Sequence, residues 1–400
     1  MKILIIGTYL PRKCGIATFT HDLYSSISSQ ENQVDIIAIL DRTENAFPQE
    51  VKKTISRDVK EDYANAAVWA NHQQYDCCII QHEFGIFGGE AGNYILEFIF
   101  NLKVPLISNL HTILQNPSLE EYSVIQKVTD HSKKITAMTA RAIDMLKNVY
   151  HVNADKLEVI PHGVPDFKLS NKEAKIRLGL EGKKVMLSFG LLGRNKGYEV
   201  AIKATSKVTD ENFVYIILGA THPNVFKIEG DHYKNSLMQQ AGQLNLSGKV
   251  FFVDSFVSDA MLQIYLKACD LYVTPYPNEN QMSSGTLSFA IGAGAAVLST
   301  PYWYAKDLLS EERGCLFDFN DADGLADIIN NLLHNPTLLQ KYRNNAFAFG
   351  KSMSWKNVGK QHIKLISSII ENRLNSVFNQ KSKTIIKYLA PGKTNKLISQ

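Results

Sequence analysis

No run of about 18 consecutive apolar residues occurs in this chain, so no transmembrane helix is expected. Cysteine is scarce and odd in number: Cys14, Cys77, Cys78, Cys269 and Cys315, with no C-x-x-C spacing. That argues against a disulfide framework, and Cys77, Cys78 and Cys269, in apolar runs, read as buried thiols. A one-sided charge is also lacking. The 43 basic and 39 acidic residues leave a net charge of +4, too near balance to suggest nucleic acid as a partner. The opening MKILIIGTYLPRKCG has no small-residue cleavage pattern, so a secretory signal is not expected and a reduced, cytoplasmic setting is. Its loop does not have the G-x-G-x-x-G spacing of a dinucleotide fingerprint. No grouping of histidines, cysteines and carboxylates has metal-ligand spacing, so no metal and no cofactor are expected.

What is present is alternation. A buried strand at 2–6 leads through a glycine-containing loop into an amphipathic helix at 16–27, the first unit of a doubly wound α/β domain. Strand patterns follow at 34–40, 77–81, 106–110, 134–138 and 157–160, mostly separated by helical segments. A polar stretch at 165–182, with one short helix at 172–178, reads as a junction. A second series then begins, with strands at 185–189, 214–218, 250–253, 271–274 and 296–299. At this length two domains are expected. The expected fold is α/β, with two Rossmann-like halves: 1–165 and 166–350. A helix at 324–333 is expected to stop at Asn335-Pro336. A final helix at about 355–378 has Ser354 as its N-cap and an apolar face of Val358, Ile363, Ile366, Ile369 and Ile370. The tail at 381–400 holds five lysines and no acid. It reads as a solvated segment, with Ile385, Ile386, Tyr388 and Leu389 leaving room for a peripheral contact with a lipid surface.

Ligands of open α/β sheets bind beyond the carboxyl ends of the strands, so the polar residues there are the candidates. In the first half these are Arg12 and Gly15, His82 and Glu83, His111, and His162. In the second they are Gly190, Arg194 and Lys196, then Glu279 and Gln281. The stretch QMSSGTLSFAIGAGAAVLST at 281–300 stands out. Ser283, Ser284, Gly285 and Thr286 open a short apolar helix, leaving free N–H groups at the positive end of its dipole, an anion site. The serines lack a nucleophile-elbow pattern and read as donors. Each residue also has a plainer reading: a strand-end histidine can satisfy a loop carbonyl, and a lysine can simply face water. Gly88, Gly89 and Gly92 shape a turn, and their number suggests a loop tip that approaches a ligand or partner.

Five segments, KILIIGTYLPRKCGIATF, NLHT at 109–112, VIPHGV at 159–164, FGLLGRNKG at 189–197 and SSGTLSFAIGAGAAVLSTPY at 283–302, occur in one order along the chain. Together they resemble the retaining glycosyltransferases of family 4, and HEFGIFGG and STPYWYA resemble a bacterial subgroup of it. The resemblance implies the GT-B fold, two Rossmann-like domains facing across a cleft, with the last helix crossing back to the first. It implies a nucleotide-sugar donor on the second domain, a carbohydrate or lipid-linked acceptor on the first, retention of configuration and no metal. By position, Lys196 looks like the diphosphate-binding lysine, helped by Ser284, Gly285 and Thr286, with Gly15 approaching the same phosphates. His111 resembles the active-site histidine, and His162 would line the cleft near the hinge.

Two positions depart from the family pattern. Leu191 stands where an arginine is common, with Arg194 the nearest substitute. Gln281 and Phe289 stand where the family carries two glutamates that touch the donor sugar and the ribose; Glu279 is near enough to replace the first. The retained lysine and Ser-Gly-Thr turn favour a glycosyltransferase. The missing glutamates keep open a phosphorylase-like enzyme using a sugar 1-phosphate, and a non-catalytic sugar-binding subunit.

Overall fold

A computed structural model describes residues 1–400 except 30, 42–45, 222 and 390–400; of 223, 224 and 374–389 only the backbone is described. The first half builds a parallel seven-stranded sheet from β1 (Lys2–Gly7), β2 (Gln33–Leu40), β3 (Val51–Ser56), β4 (Cys77–His82), β5 (Leu106–Leu110), β6 (Lys134–Ala137) and β7 (Leu157–Val159), in the order β3-β2-β1-β4-β5-β6-β7. Helices α1 (Gly15–Ile27), α2 (Lys60–His72), α3 (Ile95–Asn101), α4 (Leu119–His131) and α5 (Ala140–Asn148) lie between the strands. α6 (Asn171–Leu178) follows, capped reciprocally by Ser170 and Glu173.

The second half builds a parallel six-stranded sheet from β8 (Lys184–Phe189), β9 (Phe213–Leu218), β10 (Val250–Val253), β11 (Leu271–Thr274), β12 (Ala296–Ser299) and β13 (Gly314–Leu316), in the order β10-β9-β8-β11-β12-β13. Its helices are α7 (Tyr198–Thr205), α8 (Pro223–Glu229), α9 (His232–Gln243), α10 (Asp259–Ala268), α11 (Gly285–Ala293), α12 (Trp303–Leu308), α13 (Ala322–His334) and α14 (Pro336–Ser352). Strands covered by helices on both faces must be apolar throughout. Accordingly Ile3, Leu4, Ile5 and Ile6 are all fully buried, as are Phe213 through Leu218 almost completely.

The last helix, α15 (Trp355–Leu389), lies along α1 of the first half. The approach is close: a Cβ on Gly359 would sit 2.6 Å from the Ser26 carbonyl oxygen. Val358, Ile366 and Ile369 are buried, with Ile363 and Ile370 packed beside them. Ser354 Oγ accepts the Asn357 N–H at 3.4 Å. The returning chain is also stitched to the junction: Val164 donates to Met353 and Trp355 donates to Val164, at 2.9 and 3.0 Å.

Four local expectations change. α15 runs past 378 to Leu389, so the first part of the basic tail is helix, while 390–400, with Pro391 and Gly392, lies outside the described residues. β3 is an edge strand carrying Lys52 and Lys53, a polar pattern typical of protected edges and therefore easy to miss. β13 is only three residues long. Asn335-Pro336 ends α13 but also begins α14: Asn335 Oδ1 accepts the Leu338 N–H at 3.1 Å, and Pro336 occupies the first turn, where its missing N–H costs nothing. Among the described residues no helix is long and apolar enough to cross a membrane.

Candidate active site

Both sheets reverse strand order once. In the first, β1 has β2 on one side and β4 on the other; in the second, β8 lies between β9 and β11. Such switch points leave a crevice beyond the carboxyl ends of the strands. Those ends carry Thr8, Gln81, His82 and Glu83 in the first half, and Gly190, Pro275 and Tyr276 in the second.

The second-half wall centres on Tyr276. Its buried ring lies under the Lys196 ammonium, 4.3 Å from Nζ to the ring centroid, and its hydroxyl is 2.9 Å from Thr286 Oγ1. Lys196 meets no carboxylate among the described residues. Ser284 caps α11 by accepting the Leu287 N–H at 3.2 Å and is 3.1 Å from Thr286 Oγ1. Gly190, with φ of 132°, puts the loop after β8 against Thr286: a Cβ there would lie 3.5 Å from the threonine methyl. One phenol ring thus holds together a free cation and the N-terminal turn of a helix, both of which attract anions.

The first-half wall is a group of buried histidines. His111 is 5% exposed, and its Nε2 is 2.8 Å from Gln81 Oε1. Burial pushes its pKa down to about 3, assisted by the nearby His162 and His82, so it is neutral at pH 7. His162 donates from Nδ1 to the Gly163 carbonyl at 2.7 Å, and burial lowers its pKa to about 4. His82 is fully buried, neither ring nitrogen has a hydrogen-bond partner among the described residues, and its pKa falls to about 4 for the same reason. Glu83 accepts the Thr112 hydroxyl at 2.5 Å, and burial raises its carboxyl above the usual range.

The walls touch. Ser283 Oγ donates to the His111 carbonyl at 3.2 Å. His162 rests on the α11 turn, where a Cβ on Gly285 would lie 3.0 Å from its Nε2. Phe19 meets both His111 and His162 edge-on, at 4.7 and 5.1 Å between centroids. His111, His162, Lys196, Gly190 and Ser283 to Thr286 are therefore brought to one place.

Other candidates are engaged elsewhere. Arg194 pairs with Glu229 at 3.0 Å, with its side chain 61% exposed. Glu279 pairs with Lys306 at 2.8 Å. Gln281 spends its amide on the Ser283 carbonyl at 2.9 Å, bracing the turn. Arg12 pairs with Asp41 at 2.8 Å. Gly15 is exposed at the start of α1, with open space where its Cβ would be. Phe289 stacks on Phe189 at 6.3 Å and meets His162 at 5.8 Å, filling the wall with apolar surface. Gly88 and Gly89 are needed for internal packing, since Cβ atoms there would meet the Arg57 carbonyl and the Tyr94 ring, so their loop is shaped by its own neighbours. Among the described residues no group of three or more His, Cys, Asp or Glu side chains could hold a metal ion.

Sequence reasoning did not single out Phe19 and Trp355, whose rings are 5.0 Å apart and complete the aromatic wall around His162. Nor did it find Asp22, whose pKa is raised to about 7 by burial and by Asp259 of the facing half. Phe19 lies on the apolar face of α1, which reads as ordinary core; only the crossing of α15 onto that face gives it a second role.

Two facing parallel α/β sheets with a returning helix define the GT-B architecture. The structure of Anabaena HepE in complex with UDP and glucose has this fold: TM-score 0.73, 18% identity, covering 92% of this chain and 100% of that one. Residues 170–349 match the family described as Glycosyl transferases group 1. The chain is 23% identical over 229 residues to the 2-deoxystreptamine N-acetyl-D-glucosaminyltransferase of Niallia circulans, covering 55% of each chain. It is 28% identical over 148 residues to the mannosylfructose-phosphate synthase of Agrobacterium fabrum, covering 35% of this chain and 32% of that one. The matches thus span about half and about a third of those two relatives.

Proposed function

We propose that the protein is a retaining glycosyltransferase, a metal-independent enzyme that moves a sugar from a nucleotide-sugar donor to a glycan, lipid or small-molecule acceptor in the cytoplasm. The observation that carries this reading is the Lys196–Tyr276–Thr286 assembly at the N-terminus of α11, an anion cradle that faces His111. The HepE structure, a complex with UDP and glucose, supports the same class of donor. In this reading residues 166–350 hold the donor and 1–165 the acceptor side. Lys196 and the 284–286 turn bear the charge of the departing diphosphate. The bond from the anomeric carbon to the phosphate oxygen loosens toward an oxocarbenium-like state. The acceptor hydroxyl attacks the same face, and the leaving phosphate oxygen takes its proton. Arg194 could join only by leaving Glu229. His111, neutral at pH 7, orients the sugar rather than pairing with the phosphates.

The test is thermal stabilisation by UDP, GDP, ADP and inorganic phosphate, followed by turnover of the matching nucleotide-sugar. Stabilisation by one nucleoside diphosphate, and a product that keeps the donor's anomeric configuration by NMR, are expected. Stabilisation by phosphate alone would instead favour the sugar 1-phosphate reading, for which the apolar Phe189–Phe289 wall is the motive.

A further inference from the structure

Gln81 is fully buried at the end of β4, beside Gly7 of β1, where a Cβ would come within 3.0 Å of it. Its Oε1 accepts from two groups at once: Asn109 Nδ2 at 3.0 Å and His111 Nε2 at 2.8 Å. Its own Nε2 has no partner among the described residues. A buried amide with one end unsatisfied is costly, so its worth here lies in the oxygen. Because that oxygen only accepts, the His111 nitrogen facing it carries the proton. The ring is held neutral by burial and by His82 and His162, the titratable groups that face it, so it has one proton only. Nδ1 is then a bare lone pair. Among the described residues it has no hydrogen bond, and unlike the ring nitrogens of His82 it is not fully sealed, so it is the nitrogen left open.

We infer that Gln81 is a positioning residue that fixes the tautomer of His111, so that the imidazole offers the cleft an unprotonated Nδ1 able to accept a hydrogen bond. On the proposed function, the group it meets is a hydroxyl of the sugar, and a carboxylate at that place, having no proton to give, is disfavoured. Asn109 assists by occupying the second lone pair of Gln81 Oε1, which keeps the amide from turning its NH₂ toward the ring.

The tautomer can be read without any substrate. In full-length protein labelled with ¹⁵N-histidine, the His111 resonance is identified by its loss in His111→Gln. Its long-range ¹H–¹⁵N pattern at pH 7 is expected to show a protonated Nε2 and a bare Nδ1. Gln81→Met removes the acceptor and is expected to move a substantial fraction of the proton to Nδ1. Gln81→Glu keeps an acceptor oxygen and is expected to keep Nε2 protonated, which decides the matter if the methionine variant does not fold. A proton on Nδ1 in the native protein, an unchanged pattern in Gln81→Met, or loss of the Nε2 proton in Gln81→Glu would overturn the inference. None of these readings depends on whether the protein transfers sugars.

Discussion

Replacing Lys196 by alanine separates chemistry from folding, because the structure assigns the two very different costs. The ammonium has no carboxylate partner among the described residues, so its removal leaves no buried charge stranded. What folding loses is one cation–π contact with Tyr276, worth about 0.5–1 kcal/mol at a partly exposed site. In a chain of this size that lowers Tm by only about 1 °C. On the proposed function, turnover loses a charged donor aimed at the leaving diphosphate, which costs about 3–4 kcal/mol, or roughly 10²–10³ in rate. Part of that loss is expected in the ground state, since a nucleoside diphosphate is already anionic before the bond breaks, so affinity falls together with kcat. Three measurements on Lys196→Ala and Lys196→Arg decide it: thermal unfolding, affinity for the stabilising nucleoside diphosphate, and turnover of its sugar. Arginine keeps the charge but not its point geometry, and intermediate activity is expected. Near-normal turnover in the alanine variant would refute the role given to Lys196. A loss of activity matched by a collapse in Tm would refute the claim that its role is chemical.

Acid should destabilise the protein well before its carboxylates titrate. His82, His111, His162 and His362 have pKa values near 4, 3, 4 and 4 when folded, through burial. The unfolded chain takes up their protons near pH 6.5, so stability is full above that pH and falls as pH drops toward 4, by about 2 kcal/mol per histidine at pH 5; a flat Tm between pH 7 and 5 would contradict this. Asp22 acts in the opposite sense. Its raised pKa means the folded carboxyl holds a proton that the unfolded one has lost, so its contribution declines from about pH 4 up through 7. Asp22→Asn should therefore raise Tm at pH 8 and do little at pH 4. Gly359→Val places a side chain against the Ser26 carbonyl, backbone that cannot step aside, and should cost about 1–3 kcal/mol by denaturant unfolding. Tyr276→Leu removes both the ring under Lys196 and the hydroxyl on Thr286, and should weaken nucleoside diphosphate binding more than Tyr276→Phe, which keeps the ring; equal affinities would show that the ring contact is idle.

Most strands of both sheets were legible because burial on two faces demands continuous apolar runs, as in Ile3–Ile6 or Val214–Leu218, whereas the polar edge β3 and the three-residue β13 were not. The start of α11 was legible too, since Ser284, Gly285 and Thr286 announce a helix cap. What the sequence hides is how side chains are spent. Nothing near Arg194 reveals that Glu229, 35 positions on, claims its guanidinium, or that Lys306 claims Glu279. Gln281 reads as a ligand-facing amide, yet it braces its own turn. Lys196 and Arg194 look alike in sequence, and only packing against Tyr276 distinguishes them. Asp22 and Asp259 oppose each other only because two separate halves meet.

Trp355 heads the returning helix, yet its indole lies on Gly163, 2.2 Å from where a Cβ would be, and beside Phe19 and His162. Its backbone N–H holds the junction at Val164. Axle and wheel are thus cut from one piece. A swing of one half against the other cannot leave these rings at rest, because the residue that anchors the pivot also presses on the histidine beside the cradle. A change at Gly163 or Trp355 is therefore expected to reach His162, and with it the alignment of the site, directly.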